Sequence, residues 1–272
     1  MAGLYIHIPF CHKACVYCDF HFTTSLRYVD RMMNALLSEI RSRGKEFPQT
    51  VDTIYFGGGT PSVLTASQTK ELLGTIYDSY TVNGDVQIET TIEANPEDIT
   101  PEKVRDWMQA GINRVSLGIQ SFNDEDLQWM NRGHSAEDAV NAVRVLTQSG
   151  IKNISADLIF GLPNQDKNSW MSNLRQLLTL PITHISLYSL TVEPRTELAF
   201  QVKKGITKVA GEDMATEQFE LGQNSLKEAG FEQYEVSNYA KPGFESQHNS
   251  AYWRDIHYDG IGPSAHSFNG KQ

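Results

Sequence analysis

Three cysteines on one short segment are the residues with the clearest chemistry in this chain. They stand at Cys11, Cys15 and Cys18, and the 272 residues contain no other cysteine. Thiolates at this spacing can bind one metal centre. A zinc ion could take His21 as a fourth ligand. An iron–sulfur cluster with four irons would keep one iron open for an external ligand, because the loop supplies only three thiolates.

Two further interpretations of the cysteines need no metal. A disulfide would leave one cysteine unpaired, and it would suit a reducing compartment poorly. Three unrelated thiols would not need to fall within eight residues. The spacing therefore favours a metal centre, with zinc and iron–sulfur both open.

Strands and helices alternate along the first 190 residues, and they must position this loop. The hydrophobic pattern predicts strands over residues 4–9, 51–56, 87–94, 114–119, 153–160 and 183–190. It predicts helices over residues 27–43, 65–80, 101–110, 135–149 and 169–179, with Thr65 as an N-cap. Six successive strand–helix units predict a parallel sheet, because parallel strands need crossover connections. We expect the sheet to curl into an open α/β barrel.

The pattern weakens after residue 190. We expect a turn-rich excursion over 192–211, a helix over 212–229, a last strand over 231–239 and an ordered loop over 247–268. The chain is accordingly divided into a barrel over 1–230, with the metal loop at 10–22, and a barrel-closing segment over 231–272.

Polar residues collect at the ends of the predicted strands, where parallel α/β folds place their chemistry. The cysteine loop follows the first strand, and a Gly-Gly-Gly-Thr run at 57–60 follows the second. Glu93 ends the third strand, Gln120 follows the fourth, and Asp157 lies in the fifth. The glycine run is not a dinucleotide fingerprint, because Ser62 stands where the third glycine would be needed. It is either a tight turn or a close approach of a ligand to the backbone.

The composition excludes some classes of protein. The chain carries 23 basic and 33 acidic residues, a formal charge of −10. General nucleic-acid binders and polybasic membrane clamps rely on positive fields, so both are disfavoured. No apolar run approaches the ~18 residues of a membrane span. We expect a soluble cytoplasmic protein.

The cysteine segment resembles a known signature. Residues 11–18 read Cys-x3-Cys-x-aromatic-Cys, which is similar to the motif of the radical S-adenosylmethionine (SAM) superfamily. Further segments resemble its HemN/HemW family, and they occur in order at 5–10, 57–62, 93–96, 116–122, 131–134 and 157–163. The resemblance implies a partial (β/α)6 barrel of the TIM type, in agreement with the count of predicted strands.

The same resemblance implies two cofactors and the residues that hold them. Cys11, Cys15 and Cys18 would ligate a [4Fe-4S] cluster, and SAM would bind the open iron. The implied cofactor-binding residues of the barrel are Tyr5, Tyr17, Gly58, Gly59, Thr60, Glu93, Gln120, Arg132 and Asp157. By the resemblance, Tyr17 lies against the adenosyl group, the glycine run meets the SAM amino group, and Glu93 binds the ribose. Gln120, Arg132 and Asp157 match residues that help hold a second SAM in the coproporphyrinogen III oxidase branch. No catalytic residue is assigned.

Three features separate the branches of the family. Phe20 stands where the oxidase branch typically has a cysteine, and only ten residues precede Cys11. Residues 248–253 read His-Asn-Ser-Ala-Tyr-Trp, which resembles the haem motif of the HemW branch. His248 is the implied haem ligand and His266 a second choice, since imidazole is a common axial ligand.

The resemblance therefore favours a HemW-like haem chaperone that passes haem to an acceptor such as a respiratory haem protein. The alternative is an oxygen-independent coproporphyrinogen III oxidase, and a third possibility is a zinc-dependent structural protein. Relatives suggest a homodimer and a helical C-terminal domain, and we expect this chain to end before that domain.

Overall fold

A computed structural model describes residues 2–271, in which strands and helices alternate as expected. The strands are β1 (Ala2–Ile8), β2 (Val51–Gly58), β3 (Glu89–Ala94), β4 (Arg114–Gln120), β5 (Asn153–Phe160), β6 (His184–Ser189), β7 (Glu232–Gln233), β8 (Asn238–Ala240) and β9 (Tyr258–Ile261). The helices are α1 (Val29–Gly44), α2 (Ala66–Ser79), α3 (Pro101–Ala110), α4 (Asp124–Trp129), α5 (Ala136–Ser149), α6 (Lys167–Leu178), α7 (Glu197–Lys203), α8 (Glu212–Glu228) and α9 (Gln247–Tyr252).

All these strands join one sheet in the order β7-β8-β6-β5-β4-β3-β2-β1-β9. Strands β1 to β6 are parallel neighbours, and β9 adds to β1 in the same direction. Strand β8 is antiparallel to β6, and β7 is antiparallel to β8. In the described residues the two edge strands, β7 and β9, do not pair with each other. The barrel is therefore open, and the predicted partial α/β barrel is confirmed.

Local chemistry explains where the long helices begin and end. Thr65 and Gln68 form a capping box at the start of α2, as the N-cap prediction requires. Ser135 and Asp138 do the same for α5. Helix α5 ends at Gly150, whose φ of +103° is a conformation that glycine adopts without a steric penalty. These side chains and backbone groups satisfy helix ends that would otherwise lack hydrogen bonds.

The two faces of the sheet differ in chemistry. Leu4, Ile6 and Ile8 of β1 belong to the main hydrophobic core, which also contains buried residues of the surrounding helices. Alternating with them, Tyr5 and His7 belong to the polar interior of the barrel, because side chains of a strand point to opposite faces. The interior therefore carries the polar side chains from which a site can be built.

The C-terminal part departs from the sequence prediction. The predicted single strand over 231–239 is wrong, because this segment forms the two short strands β7 and β8. The predicted ordered loop over 247–268 is also wrong, since it contains α9 and β9. Strand β8 pairs with β6 and β9 pairs with β1, so the segment 231–272 lengthens both edges of the sheet and does not close the barrel. Helices α4 and α7 were not predicted, and each has fewer than eight residues, too few for a helical period to be recognised.

Within residues 2–271, none of the helices is long and apolar enough to cross a membrane.

Candidate functional site

The cysteine loop borders a cavity of about 440 Å³ at the carboxyl ends of the parallel strands. We call it the cluster cavity. Most of the predicted site residues line it, namely Cys11, Cys15, Tyr17, Cys18, Gly58, Gly59, Thr60, Glu93, Gln120, Arg132 and Asp157. Tyr5 and His248 do not line it. The structure thus brings together residues that are up to 146 positions apart in the chain, from Cys11 to Asp157.

The three cysteines of the cluster cavity are free thiols and half-buried. The Thr60 hydroxyl donates to the Cys11 sulfur over 3.4 Å, and the Arg132 guanidinium donates to the Cys15 sulfur over 3.5 Å. Burial raises the pKa of the Cys18 thiol to about 11, and nearby Cys15 and Cys11 act in the same direction. Removing these protons needs a positive partner, and a metal centre is such a partner.

The thiols suit a cluster better than a single ion. Among the described residues, no group of three or more His, Cys, Asp or Glu side chains is gathered as one metal ion would require. The predicted fourth zinc ligand, His21, instead lies 6.1 Å from the His7 ring, and its carbonyl accepts a hydrogen bond from that ring. A multi-iron cluster binds each thiolate through a different iron and so does not need the sulfurs to converge. The residues present therefore fit an iron–sulfur cluster on one side of the cavity.

The glycine run packs against the cysteine loop. A Cβ on Gly59 would stand 2.8 Å from the Phe10 carbonyl oxygen, and one on Gly58 would stand 2.6 Å from the His7 ring. Gly58 also has a φ of +112° and donates its N–H to Glu93 over 3.1 Å. Contact with the Phe10 backbone explains the absence of a side chain at Gly59, and contact with the His7 ring together with the positive φ explains it at Gly58.

Two carboxylates lie in the cluster cavity with raised pKa values. Burial raises the pKa of Glu93 to about 7, although hydrogen bonds from the Tyr55 hydroxyl (2.8 Å) and the Gly58 N–H oppose the shift. Burial likewise raises the pKa of Asp157 to about 6. The Coulomb repulsion between the two carboxylates adds to the shift of Glu93. Raised pKa values of buried carboxyl groups are typical of binding sites, where a hydrogen-bonding or cationic ligand can interact with them.

Gln120 and Arg132 leave polar atoms without partners at the same cavity. Gln120 has a φ of +68°, a left-handed conformation that is strained for this residue type. Its side-chain oxygen is buried and has no hydrogen-bond partner in the described part of the chain, and neither has Nε of Arg132. The rest of the Arg132 guanidinium donates to Asn95 Oδ1 and the Gly118 carbonyl, both over 2.7 Å. Buried polar atoms normally find partners, so the unpaired oxygen of Gln120 marks a place for a polar ligand.

Elements that the sequence did not reveal hold the cysteine loop in place. Asn131, just after α4, donates to the Ala14 carbonyl over 2.8 Å. The Val16 N–H donates to the Met130 carbonyl over 3.3 Å, and its own carbonyl accepts from Leu198 of α7 over 2.8 Å. Tyr188 and Asn95 also line the cavity, although neither was predicted as a site residue. Their positions just at or after strand ends were the available signal.

A second cavity, of about 530 Å³, lies on the other side of Asp19 and Phe20, which line both cavities. We call it the aromatic cavity. Its lining includes Tyr5, Phe20, His21, Tyr252, Tyr258 and His266. The hydroxyl of Tyr5 is within 3.1 Å of His7 Nδ1. Tyr5, an implied SAM residue, thus belongs to this second cavity.

The structure does not present His248 as an open ligand. Its side chain is 2% exposed. Its Nδ1 lies 2.8 Å from the Thr53 hydroxyl and its Nε2 lies 2.9 Å from the Tyr252 hydroxyl. Both ring nitrogens therefore already have hydrogen-bond partners. In this structure the predicted haem ligand His248 is buried and has no free ring nitrogen.

Comparison with known proteins agrees with the geometry of the cluster cavity. The sequence profile of the Radical SAM superfamily matches residues 5–177. The chain belongs to this superfamily. Within it the chain belongs to the HemN/HemW family: it is 38% identical to the heme chaperone HemW of Bacillus subtilis over 99% of this chain and 72% of that protein. It is 39% identical to HemW of Haemophilus influenzae over 97% of this chain and 69% of that one.

The solved structure of coproporphyrinogen III oxidase (HemN) from Escherichia coli, described as a radical SAM enzyme, has a similar fold. It superposes with a TM-score of 0.85 at 25% identity, covering 99% of this chain and 65% of the enzyme. The predicted family is confirmed, and the identity to the HemW proteins exceeds the identity to the oxidase.

Proposed function

We propose that this radical SAM protein is a HemW-like haem chaperone that holds a [4Fe-4S] cluster and SAM and passes haem to an acceptor haem protein. The cofactor part is supported by one observation above all: three free thiols line the same cavity as the unpaired Gln120 oxygen. The haem part is supported by relatives named heme chaperone at 38–39% identity over nearly the whole chain.

The residues of the cluster cavity have separable roles in this proposal. Cys11, Cys15 and Cys18 would bind the cluster as thiolates, and the Arg132 guanidinium beside Cys15 would stabilise negative charge there. Thr60 donates to the sulfur of Cys11 in the same way.

The other side of the cavity would hold SAM. Glu93 would accept hydrogen bonds from ribose hydroxyls, and the oxygen of Gln120, which has no described partner, would accept one from a polar group of the ligand. Tyr17, which lines the cavity and stands between Cys15 and Cys18 in the chain, would shield the adenosyl group from water. When bound, the cluster and SAM together supply one-electron cleavage of a carbon–sulfur bond, a chemistry that side chains lack.

The barrel over residues 1–230 would carry these cofactors, and residues 231–272 would contribute to the haem site. We further propose a cytoplasmic location and a homodimer, on the basis of the family resemblance.

The oxidase is the second candidate, and the likeness to HemN favours it. The fold agrees over 99% of the chain, and Gln120, Arg132 and Asp157 lie together where a second SAM could be held. Phe20 argues against it, since it stands in place of the branch's cysteine and its side chain is 69% exposed at the mouth of both cavities.

Anaerobic purification and two assays test the proposal. We expect a brown protein that binds haemin at about one per chain and does not convert coproporphyrinogen III to protoporphyrinogen IX. Turnover of coproporphyrinogen would favour the oxidase instead. A colourless protein with one zinc per chain would refute the cluster and with it the radical SAM chemistry.

A further inference from the structure

The aromatic cavity has the composition of a porphyrin site. Its walls include the rings of Tyr5, Phe20, Tyr252 and Tyr258, which offer flat apolar faces. Its volume of about 530 Å³ lies within the range of small-molecule sites, roughly 300–1,000 Å³. No Lys or Arg occurs among the described residues that line it, so the carboxylates of a bound tetrapyrrole would face the opening. The cavity itself would contact the macrocycle.

Two imidazoles of this cavity are available to a metal. His21 and His266 are both exposed and both line the cavity. Within the described residues, neither side chain forms a hydrogen bond through a ring nitrogen; only the backbone carbonyl of His21 accepts one, from His7. A neutral ring nitrogen without a partner can bind iron without first breaking another bond.

His248 lies behind the wall of the cavity and is not available in this way. Besides its hydrogen bonds to Thr53 and Tyr252, its ring stacks on Tyr55 with 5.1 Å between the ring centroids. A Cβ on Gly3 would stand 3.0 Å from its Cε1. Ligation through Nε2 would require the bond to Tyr252 to break and the iron to enter the space behind that residue.

The two aromatic residues of the 248–253 motif face different cavities. Tyr252 lines the aromatic cavity, whereas Trp253, 67% exposed, lines a cavity of about 790 Å³ together with Ala2, Asp52 and Thr53 at the amino ends of β1 and β2. They cannot enclose one porphyrin between them in this arrangement. The motif therefore does not form a single haem-binding face.

His248 instead positions Tyr252. The two rings meet edge to face, with centroids 5.3 Å apart and an angle of 86° between them. Tyr252 in turn meets Tyr258 of β9 edge to face at 4.7 Å. The buried imidazole thus fixes one wall of the aromatic cavity through its hydrogen bond to the Tyr252 hydroxyl.

On the basis of the haem-carrying function proposed above, we infer that haem binds in the aromatic cavity through His266 and His21, and that His248 is a positioning residue. The site is next to the proposed cluster, because Asp19 and Phe20 form the wall that the two cavities share. The side chain of Phe20 would then stand between the cluster and the haem.

Haemin titration of the anaerobic, cluster-loaded protein tests the inference. We compare the wild type with His266→Ala, His21→Ala, the double variant, His248→Ala and Tyr252→Phe. The wild type should show a low-spin haem spectrum. The double variant should lose that spectrum and bind haemin at least tenfold more weakly, and added imidazole should restore the spectrum, because the cavity remains.

The two variants of the motif separate ligation from positioning. His248→Ala should keep the low-spin spectrum and weaken binding only a few-fold, since it loosens Tyr252. Tyr252→Phe frees Nε2 of His248 without removing the ring. It should leave the spectrum unchanged, whereas tighter binding would identify His248 as a ligand.

The outcomes distinguish this inference from the proposed function. Loss of the low-spin spectrum in His248→Ala, or its retention in the double variant without imidazole, overturns the inference while haem binding itself stands. A wild-type protein that binds no haemin overturns both. The iron content and far-ultraviolet circular dichroism of each variant show whether the fold and cluster are intact.

Discussion

The cluster cavity and the segment around His248 differ in how completely their polar groups are satisfied. At the cluster cavity, the Gln120 oxygen has no partner among the described residues, three thiols are free, and Glu93 has a raised pKa. At the 248–253 segment, His248 is buried and uses both ring nitrogens. Polar groups that lack partners indicate where a ligand belongs, whereas a satisfied histidine indicates a structural role. A motif therefore identifies a segment, and hydrogen bonding decides which of its residues are open to a ligand.

The largest expected effect comes from the cysteines. Replacing Cys15 by serine removes the sulfur, which is both the proposed cluster ligand and the acceptor of the Arg132 hydrogen bond, and leaves a hydroxyl in its place. We expect the loss of most of the bound iron, because each ligand of a cluster contributes to its affinity. Iron and sulfide determination after anaerobic reconstitution measures it.

The matched control is His266→Ala, in the neighbouring aromatic cavity. It should keep the wild-type iron content. Equal iron loss in both variants would show that the two cavities are not chemically distinct.

Regular elements could be predicted from the sequence because their signals are local. The predicted helix over Pro101–Ala110 and strand over Asn153–Phe160 have the bounds of the structure, and Thr65 caps α2 as expected. The C-terminal elements α9 and β9 could not be predicted from the sequence, because they have only six and four residues. Their formation depends on long-range pairing of β9 with β1, which no local period reveals.

The candidate site shows the same division. It could be predicted that Glu93, Gln120 and Asp157 share one cavity, because they lie near the carboxyl ends of parallel strands, which meet at the same edge of the sheet. The closed state of His248 could not be predicted, since it depends on Thr53 and on the fold of α9 against β2. The left-handed backbone of Gln120 also has no signal in its residue type.

The second effect is on stability, and it contrasts His248 with His266. His248→Ala removes a buried ring, leaves a cavity and deprives the Thr53 and Tyr252 hydroxyls of partners. The expected loss is about 3 kcal/mol in the free energy of unfolding. His266→Ala changes an exposed side chain and should cost less than about 0.5 kcal/mol. Urea denaturation of the two variants gives the comparison, and equal losses would contradict the structural role of His248.

The third effect is a pair of opposite pH dependences. Burial raises the pKa of Glu93 to about 7, so the folded state holds its proton between pH 4.5 and 7 while the unfolded state loses it. The stability from this group is therefore present below about pH 4.5 and is lost as the pH rises through 7. Burial, with the charge of Arg114, lowers the pKa of His248 to about 3, so its contribution is lost as the pH falls below 6.5.

Glu93→Gln and His248→Gln test these signs. Between pH 5 and 8, Glu93→Gln should reduce the loss of stability seen in the wild type by on the order of 2 kcal/mol. Between pH 6.5 and 4, His248→Gln should reduce the loss on acidification. Denaturation at a series of pH values measures both effects. The assigned signs would be refuted if both substitutions changed the stability of the protein over the same side of the pH range, acidic or alkaline.

The smallest expected effect distinguishes two left-handed residues, Gln120 (φ +68°) and Asn131 (φ +61°). Gln120→Gly relieves backbone strain and removes a buried oxygen that has no described partner, so the protein without SAM should gain up to about 1 kcal/mol of stability. Asn131→Gly relieves similar strain but loses the hydrogen bond to the Ala14 carbonyl, so no gain is expected. The same Gln120 variant should bind SAM more weakly, because the removed oxygen is the proposed acceptor. These two results together would show that the strained backbone of Gln120 serves ligand binding. A Gln120→Gly variant that loses stability and binds SAM as tightly as the wild type would show that Gln120 has only a structural role.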